Sequence, residues 1–88
     1  MITVGPDRMP KATSVSVGWQ GEMLVAGVGR GTGANLRANP AVTLLWPAPL
    51  PGEYALIVDG WAELREGPDA ALSVVIRPER AVLHVTRP

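Results

Sequence analysis

The sequence predicts a mainly β protein, a small antiparallel barrel of about six strands carrying one short helix. Three observations predict it. Short apolar runs recur with Gly, Pro and polar residues between them. Several of these runs alternate with a period of two, as a pleated strand with one buried face does. Only one stretch, just after the glycines at 29 and 31, reads as helix.

Val15, Val17 and Trp19 alternate with Ser14, Ser16 and Gly18, the pattern of a strand with one apolar and one small polar face. "QGE" at 20–22 supplies a tight turn, and 23–28 reads as the returning strand of a hairpin. Thr32 is a suitable N-cap for a helix of about two turns over 33–39. The helix must end there because Pro40 disfavours the α conformation at Asn39. A helix this short is not stable alone and has to be held by its neighbours.

Residues 41–46 form a near-continuous apolar run bounded by prolines, hence a buried strand, and "PAPLPGE" is a loop stiffened by three prolines. Strand material follows over 54–65 with Asp59-Gly60 inside it, either a two-residue hairpin turn or a bulge in one long bent strand. "REGPDA" is a turn, and 72–76 and 81–85 read as strands separated by a turn at 77–80. The chain has no internal repeat and no linker, so residues 1–88 are expected to form one domain.

Composition narrows the function classes. A domain of 88 residues buries only roughly 60–65 % of the surface its unfolded chain exposes. With no cysteine and a single histidine, self-association is the expected extra support, and neither a disulfide nor a metal site is expected. Eight basic and eight acidic residues cancel and are scattered singly, which argues against nucleic acid and against an anionic membrane surface. No apolar run has the length of a signal peptide or a membrane span, so a cytoplasmic protein is expected.

The stretch "GRGTGANLRANPAVTLLWP" at 29–47 holds the densest glycine turn. Gly29-x-Gly31-x-x-Ala34 meets a permissive form of the dinucleotide fingerprint. The helix behind it is too short, however, and the next strand ends in Trp46-Pro47 with no acidic residue for a ribose. A Walker loop is excluded because Gly-Lys-Ser/Thr does not occur. Two readings of the corner stay open. Glycine N–H groups and a helix N-terminus make an anion socket that Arg30 and the Thr32 hydroxyl would complete. Alternatively, the corner needs glycine only for its backbone angles.

"RMPKATSVSVGWQGEMLVAGVGRGTGANLRANPAVTLLWP", then "YALIVDGWAEL" and "AVLH", resemble the pyridoxamine 5'-phosphate oxidase-like flavin-binding split-barrel family in its small actinobacterial-type branch. The resemblance runs from about residue 3 to 84, and its most specific pieces are 29–47 and "LIVDG" at 56–60. It implies a small antiparallel split β-barrel that binds FMN as a homodimer, with the flavin between subunits. It places the flavin phosphate at 30–35, with Arg30, Gly31, Thr32 and Asn35 as candidates, and the ring beside 11–17, with Lys11, Ser14, Val15 and Ser16.

Thr32 and Ala34 stand where relatives often carry basic residues, which leaves the expected socket essentially one cation, Arg30. The chain begins partway into the family's first strand and lacks the C-terminal segment with which vitamin B6 oxidases hold substrate. The expectation is therefore flavin-dependent redox chemistry on some other small molecule. The alternatives are a cofactor-free dimeric binding module and a deazaflavin-dependent reductase whose phosphate-bearing tail uses the same socket.

Other residues have plainer readings. His84 suits a hydrogen-bonded surface or interface position better than a proton shuttle. Trp19, Trp46 and Trp61 are expected in core or interface packing. Asp59 and Glu63 read as solvated strand residues, and Arg77, Arg80 and Arg87 as a solvated cluster that could also reach across a dimer groove. No catalytic residue is assigned.

Overall fold

The structure, a computed structural model, describes residues 1–85. Seven strands form one antiparallel sheet: β1 (Ile2–Val4), β2 (Pro10–Ala12), β3 (Val17–Gln20), β4 (Met23–Val28), β5 (Ala41–Trp46), β6 (Tyr54–Glu66) and β7 (Leu72–Val85). One helix, α1 (Arg30–Ala38), joins β4 to β5, and a 3-10 turn at Pro68–Ala70 joins β6 to β7. The sheet order is β2-β1-β5-β6-β7-β4-β3. The mainly β architecture with one helix is as expected, with seven strands in place of about six. Among the described residues no helix is long and apolar enough to cross a membrane, and no three His, Cys, Asp or Glu side chains gather as a metal site would need.

Strand register carries the inward face. Leu24 pairs with Ile76 and Ala26 with Val74 across β4 and β7, while Val42 pairs with Gly60 and Leu44 with Val58 across β5 and β6. Paired residues share a face, so these rows meet in one core, where Val74 and Ile76 are fully buried and Leu44 is 2 % exposed. Leu36 of α1 joins them, and Gly33 lies close against Leu72 and Leu64. The helix thus covers the end of the barrel where β6 finishes and β7 starts. Among the described residues nothing covers the other end, where Trp19, Trp46 and Leu83 stand.

Three sequence expectations are corrected. The helix starts at Arg30 with Gly29 as its N-cap, not at 33 with Thr32 as cap. Thr32 lies inside the first turn and is 2 % exposed, and no side chain caps the end. The strand expected through 15–19 begins only at Val17, because β2 and β3 are opposite edges of the sheet and 13–16 must carry the chain between them. Of the two readings left open for Asp59-Gly60, the structure has the bulge within one continuous strand.

Likewise the turn expected at 77–80 is absent, since β7 runs unbroken past it. The register shifts there, with Asp59 opposite Arg80 and Gly60 opposite Pro78, so Glu79 is the extra residue of a bulge. A bulge is also where a strand tolerates proline. Polar contacts pin it: Arg80 Nη2 reaches Asp59 Oδ2 at 2.7 Å, Thr43 donates its hydroxyl to Asp59 Oδ1 at 2.7 Å, and Trp61 Nε1 donates to Glu79.

The tryptophans do not sit in the core: Trp19 is 71 %, Trp61 43 % and Trp46 37 % exposed. His84 is exposed on β7. Of the three C-terminal arginines, Arg77 and Arg80 are part of β7, and Arg87 lies outside the described residues.

Candidate functional site

The candidate site begins at the N-terminus of α1. The first helical bond runs from Gly33 N to Gly29 O at 2.9 Å, so the N–H groups of Arg30, Gly31 and Thr32 precede the ladder. Among the described residues they have no hydrogen-bond partner. From Gly33 onward the N–H groups lie within the helix.

The first turn contains no acidic residue, although a carboxylate there would be favoured by the helix dipole. Lysine comes instead. Lys11 reaches from β2 so that its Nζ occupies the space a Cβ on Gly31 would fill. Arg30 is exposed at the first helical position, and neither cation takes part in an ion pair among the described residues. Two positive side chains therefore gather where the helix end is itself partly positive. That arrangement opposes folding by a few tenths of a kcal/mol to about 1 kcal/mol and favours an anion.

Thr32 is only 2 % exposed, so its side chain offers little surface at this corner. Asn35 has a different task in the free chain. Its Nδ2 donates to the buried Thr3 Oγ1 at 3.2 Å, and its Oδ1 sits where a side chain on Gly5 would begin. Asn35 thereby fastens the helix to β1 and to the turn that leads into β2, where Arg8 N donates to Gly5 O at 2.9 Å. It ties the helix that carries Gly31 to the sheet edge that carries Lys11.

The ring-binding candidates lie further along the same segment. A groove of about 480 Å³ is lined by Ala12, Thr13, Ser14, Val15 and Val17 on one side and by Leu45, Trp46 and Pro47 on the other, with Met1, Ile2 and Leu44 at its base. Thr13 is locked to Met1 by reciprocal bonds of 2.8 and 2.9 Å. Ser14 and Val15 line this groove, whereas Ser16 is exposed and does not.

Lys11 and Ala12 are neighbours in β2 and project to opposite faces, so corner and groove flank the free edge of one strand. The sequence missed the wall at 45–47. The only signal for it was the abrupt Trp46-Pro47 end of an apolar run.

Asp59 and Glu63 are not a catalytic pair. Both project from the same face of β6, about 13 Å apart at strand rise, and Glu63 faces Arg65 at 3.6 Å. Asp59 is held below the ordinary carboxylate range, first by the Thr43 hydroxyl and then by the Arg80 guanidinium. A carboxylate with a depressed folded-state pKa contributes stability that is complete above its unfolded value, near 4, and is lost as pH falls through the lower folded value. Asp59→Asn is therefore expected to flatten the acid limb of the unfolding curve below about pH 4. Acid titration followed by circular dichroism checks this, and limbs of equal steepness would contradict it.

With this geometry in hand, comparison with known proteins bears on the fold. No family model matches the chain. An uncharacterized protein of Mycobacterium bovis is 48 % identical over 61 residues, covering 65 % of this chain and 42 % of its own length. An uncharacterized protein of Mycobacterium tuberculosis gives the same figures. The chain thus spans less than half the length of the curated relatives it matches.

Among solved structures, an F420 reductase superposes with a TM-score of 0.75, covering 92 % of this chain and 85 % of that one at 24 % identity. The chain has the fold of that reductase. At this identity the likeness speaks for architecture alone.

Proposed function

We propose that the chain is a deazaflavin-dependent reductase of small molecules, with the cofactor's phosphate-bearing tail at the helix corner and its ring in the groove along 12–17. The observation that carries this is the Lys11 ammonium lying over Gly31 beside the first-turn N–H groups of α1. Gly31 leaves a cradle that any Cβ would fill, and the cradle holds a cation with no anionic partner among the described residues. Such a donor set fits a phosphate.

Lys11 and Arg30 bind the tail, the N–H groups of Arg30, Gly31 and Thr32 orient it, and Asn35 keeps the helix end in place. Ser14 and the backbone of 13–15 meet the ring edge, while Val15, Val17 and Trp46 exclude water from it. When bound, the cofactor supplies the hydride chemistry.

FMN, which the sequence resemblance implied, takes second place. Both cofactors carry a tricyclic ring and a phosphate-bearing tail, so the corner suits either, and the structural relative, an F420 reductase, favours the deazaflavin. The reading includes a homodimer. The outward row Leu45, Ile57 and Val82, with Leu45 48 % and Val82 47 % exposed, is the surface a second copy would bury.

Titration of the protein with F420 and, separately, with FMN, followed by quenching of cofactor fluorescence, tests the proposal. Saturable F420 binding at one per chain, tighter than FMN, is expected. Tighter FMN binding would restore the flavin reading, and binding of neither would leave a cofactor-free barrel.

A further inference from the structure

The uncovered end of the barrel holds a second cavity. β4 pairs with β7 only as far as Leu24 opposite Ile76, whereas β6 stays paired with β7 through to Val85. Beyond Ile76 the β3–β4 hairpin and the β5–β6–β7 ribbon therefore part. The gap between them is a cavity of about 480 Å³ lined by Val17, Trp19, Leu24, Trp46, Leu56, Val58, Pro78 and Ala81.

Every one of these residues is apolar, and the two indoles are the sole side chains with a polar atom. Val17 and Trp46 also wall the ring groove. The two spaces are thus neighbours with a shared partition.

From this we infer that the cavity is the substrate subsite, and that it takes an uncharged aromatic molecule held between Trp19 and Trp46 beside the cofactor ring. The inference rests on the reading of the adjoining groove as the ring site. Charge decides the ligand class. A carboxylate or ammonium moved into this cavity gives up hydration and finds no charged side chain among the lining residues, only the two indole N–H groups, whereas an aromatic ring finds two indole faces.

Size agrees, because the volume lies within the range of small-molecule sites. Trp19 at 71 % exposed and Leu83 at 63 %, both on the inward face of the opening, are the surfaces such a ligand removes from water.

The neutral probe N-phenyl-1-naphthylamine and its anionic relative 1-anilinonaphthalene-8-sulfonate separate charge from shape. The neutral probe is expected to bind saturably at one per chain, with energy transfer from tryptophan, and the anionic one at least about tenfold more weakly. Trp19→Ala and Ala81→Asp alter exposed positions, so both variants should keep the wild-type Tm and F420 affinity while weakening the neutral probe about tenfold. Added F420 should quench the bound probe without displacing it.

Equal binding of the two probes, no saturable binding, or insensitivity to both variants would overturn the inference. So would a wild-type dimer that Trp19→Ala converts to monomer, since a second copy would then be the occupant. Probe binding that follows the expected pattern in a protein that takes up neither F420 nor FMN would strike the cofactor reading, and with it the substrate role, while leaving the cavity's ligand class established.

Discussion

Gly60→Ala should destabilise the protein by about 2–3 kcal/mol, an overpacking cost, with a fall in Tm on the order of 10 °C or more. A Cβ at this position would stand 2.5 Å from the Arg77 carbonyl oxygen, 3.0 Å from Ile76 Cγ2 and 3.2 Å from the Arg77 carbonyl carbon. Two of those atoms are backbone, and the third belongs to a fully buried side chain, so none can step aside cheaply.

The close approach follows from the bulge. Skipping Glu79 brings Pro78 opposite Gly60 and draws β7 tightly against β6 just where the strands bend. Gly18→Ala is the matched control. Its Cβ would meet only Val25 Cγ2, at the ordinary distance of 3.9 Å, and its stability should stay within about 0.5 kcal/mol of wild type. Thermal unfolding of the two variants side by side decides the matter, and equal Tm values would remove the bulge from the account of the fold.

Gly31→Ala is expected to do the opposite, leaving the fold intact while weakening cofactor binding at least about tenfold. The atom its Cβ displaces is Lys11 Nζ, the free end of a flexible side chain. Lysine can swing into solvent, and alanine is a better helix residue than glycine, so stability should hold or rise by up to about 1 kcal/mol.

The binding loss has two sources. The ammonium leaves the corner, where a charge-assisted bond to phosphate contributes about 1.5–3 kcal/mol, and the methyl group fills the cradle. A glycine kept only for backbone freedom would give the reverse pattern, a stability loss without a selective binding loss. Denaturant unfolding and F420 titration on one preparation distinguish the two, and wild-type affinity in Gly31→Ala would contradict the proposed anchor.

Local signals were legible where local chemistry dictates structure. The alternation ending at Trp19, the Gly21-Glu22 turn and the run to Val28 read as a hairpin, and that hairpin is β3–β4. The apolar run at 41–46 gave β5 to the residue, and Asp59-Gly60 was open to the bulged single strand that the structure contains.

Where long-range contacts decide, the sequence misled. Thr32 has the chemistry of a cap, but burial against the barrel places it inside the helix, and Gly29 carries no side chain to signal its own role. "RPER" at 77–80 has turn composition, yet the Asp59–Arg80 pair and the Trp61–Glu79 bond hold it in the sheet.

Within the candidate site, the resemblance named residues from both parts, 30–35 and 11–17, but assigned Lys11 to the ring end. Its placement at the helix corner depends on the pairing of Thr3 with Lys11 and on the Thr3–Asn35 bond, the second of which joins residues more than thirty apart in sequence. The tryptophans were expected in core or interface packing because they are the largest apolar side chains in a chain without phenylalanine, and the core half of that expectation does not hold. The opening of the barrel beyond Ile76 leaves two of them, Trp19 and Trp46, lining a mouth instead.

The central claim is that the helix corner recognises a phosphate, and a thermodynamic cycle tests it most directly. Affinities would be measured for F420 and for its phosphate-free deazariboflavin chromophore, in wild type and in Lys11→Gln. The account predicts that the phosphate-bearing molecule binds wild type at least about tenfold more tightly, and that this preference shrinks toward unity in the variant while affinity for the bare chromophore is unchanged. A preference of the same size in both proteins, or none in wild type, would contradict it.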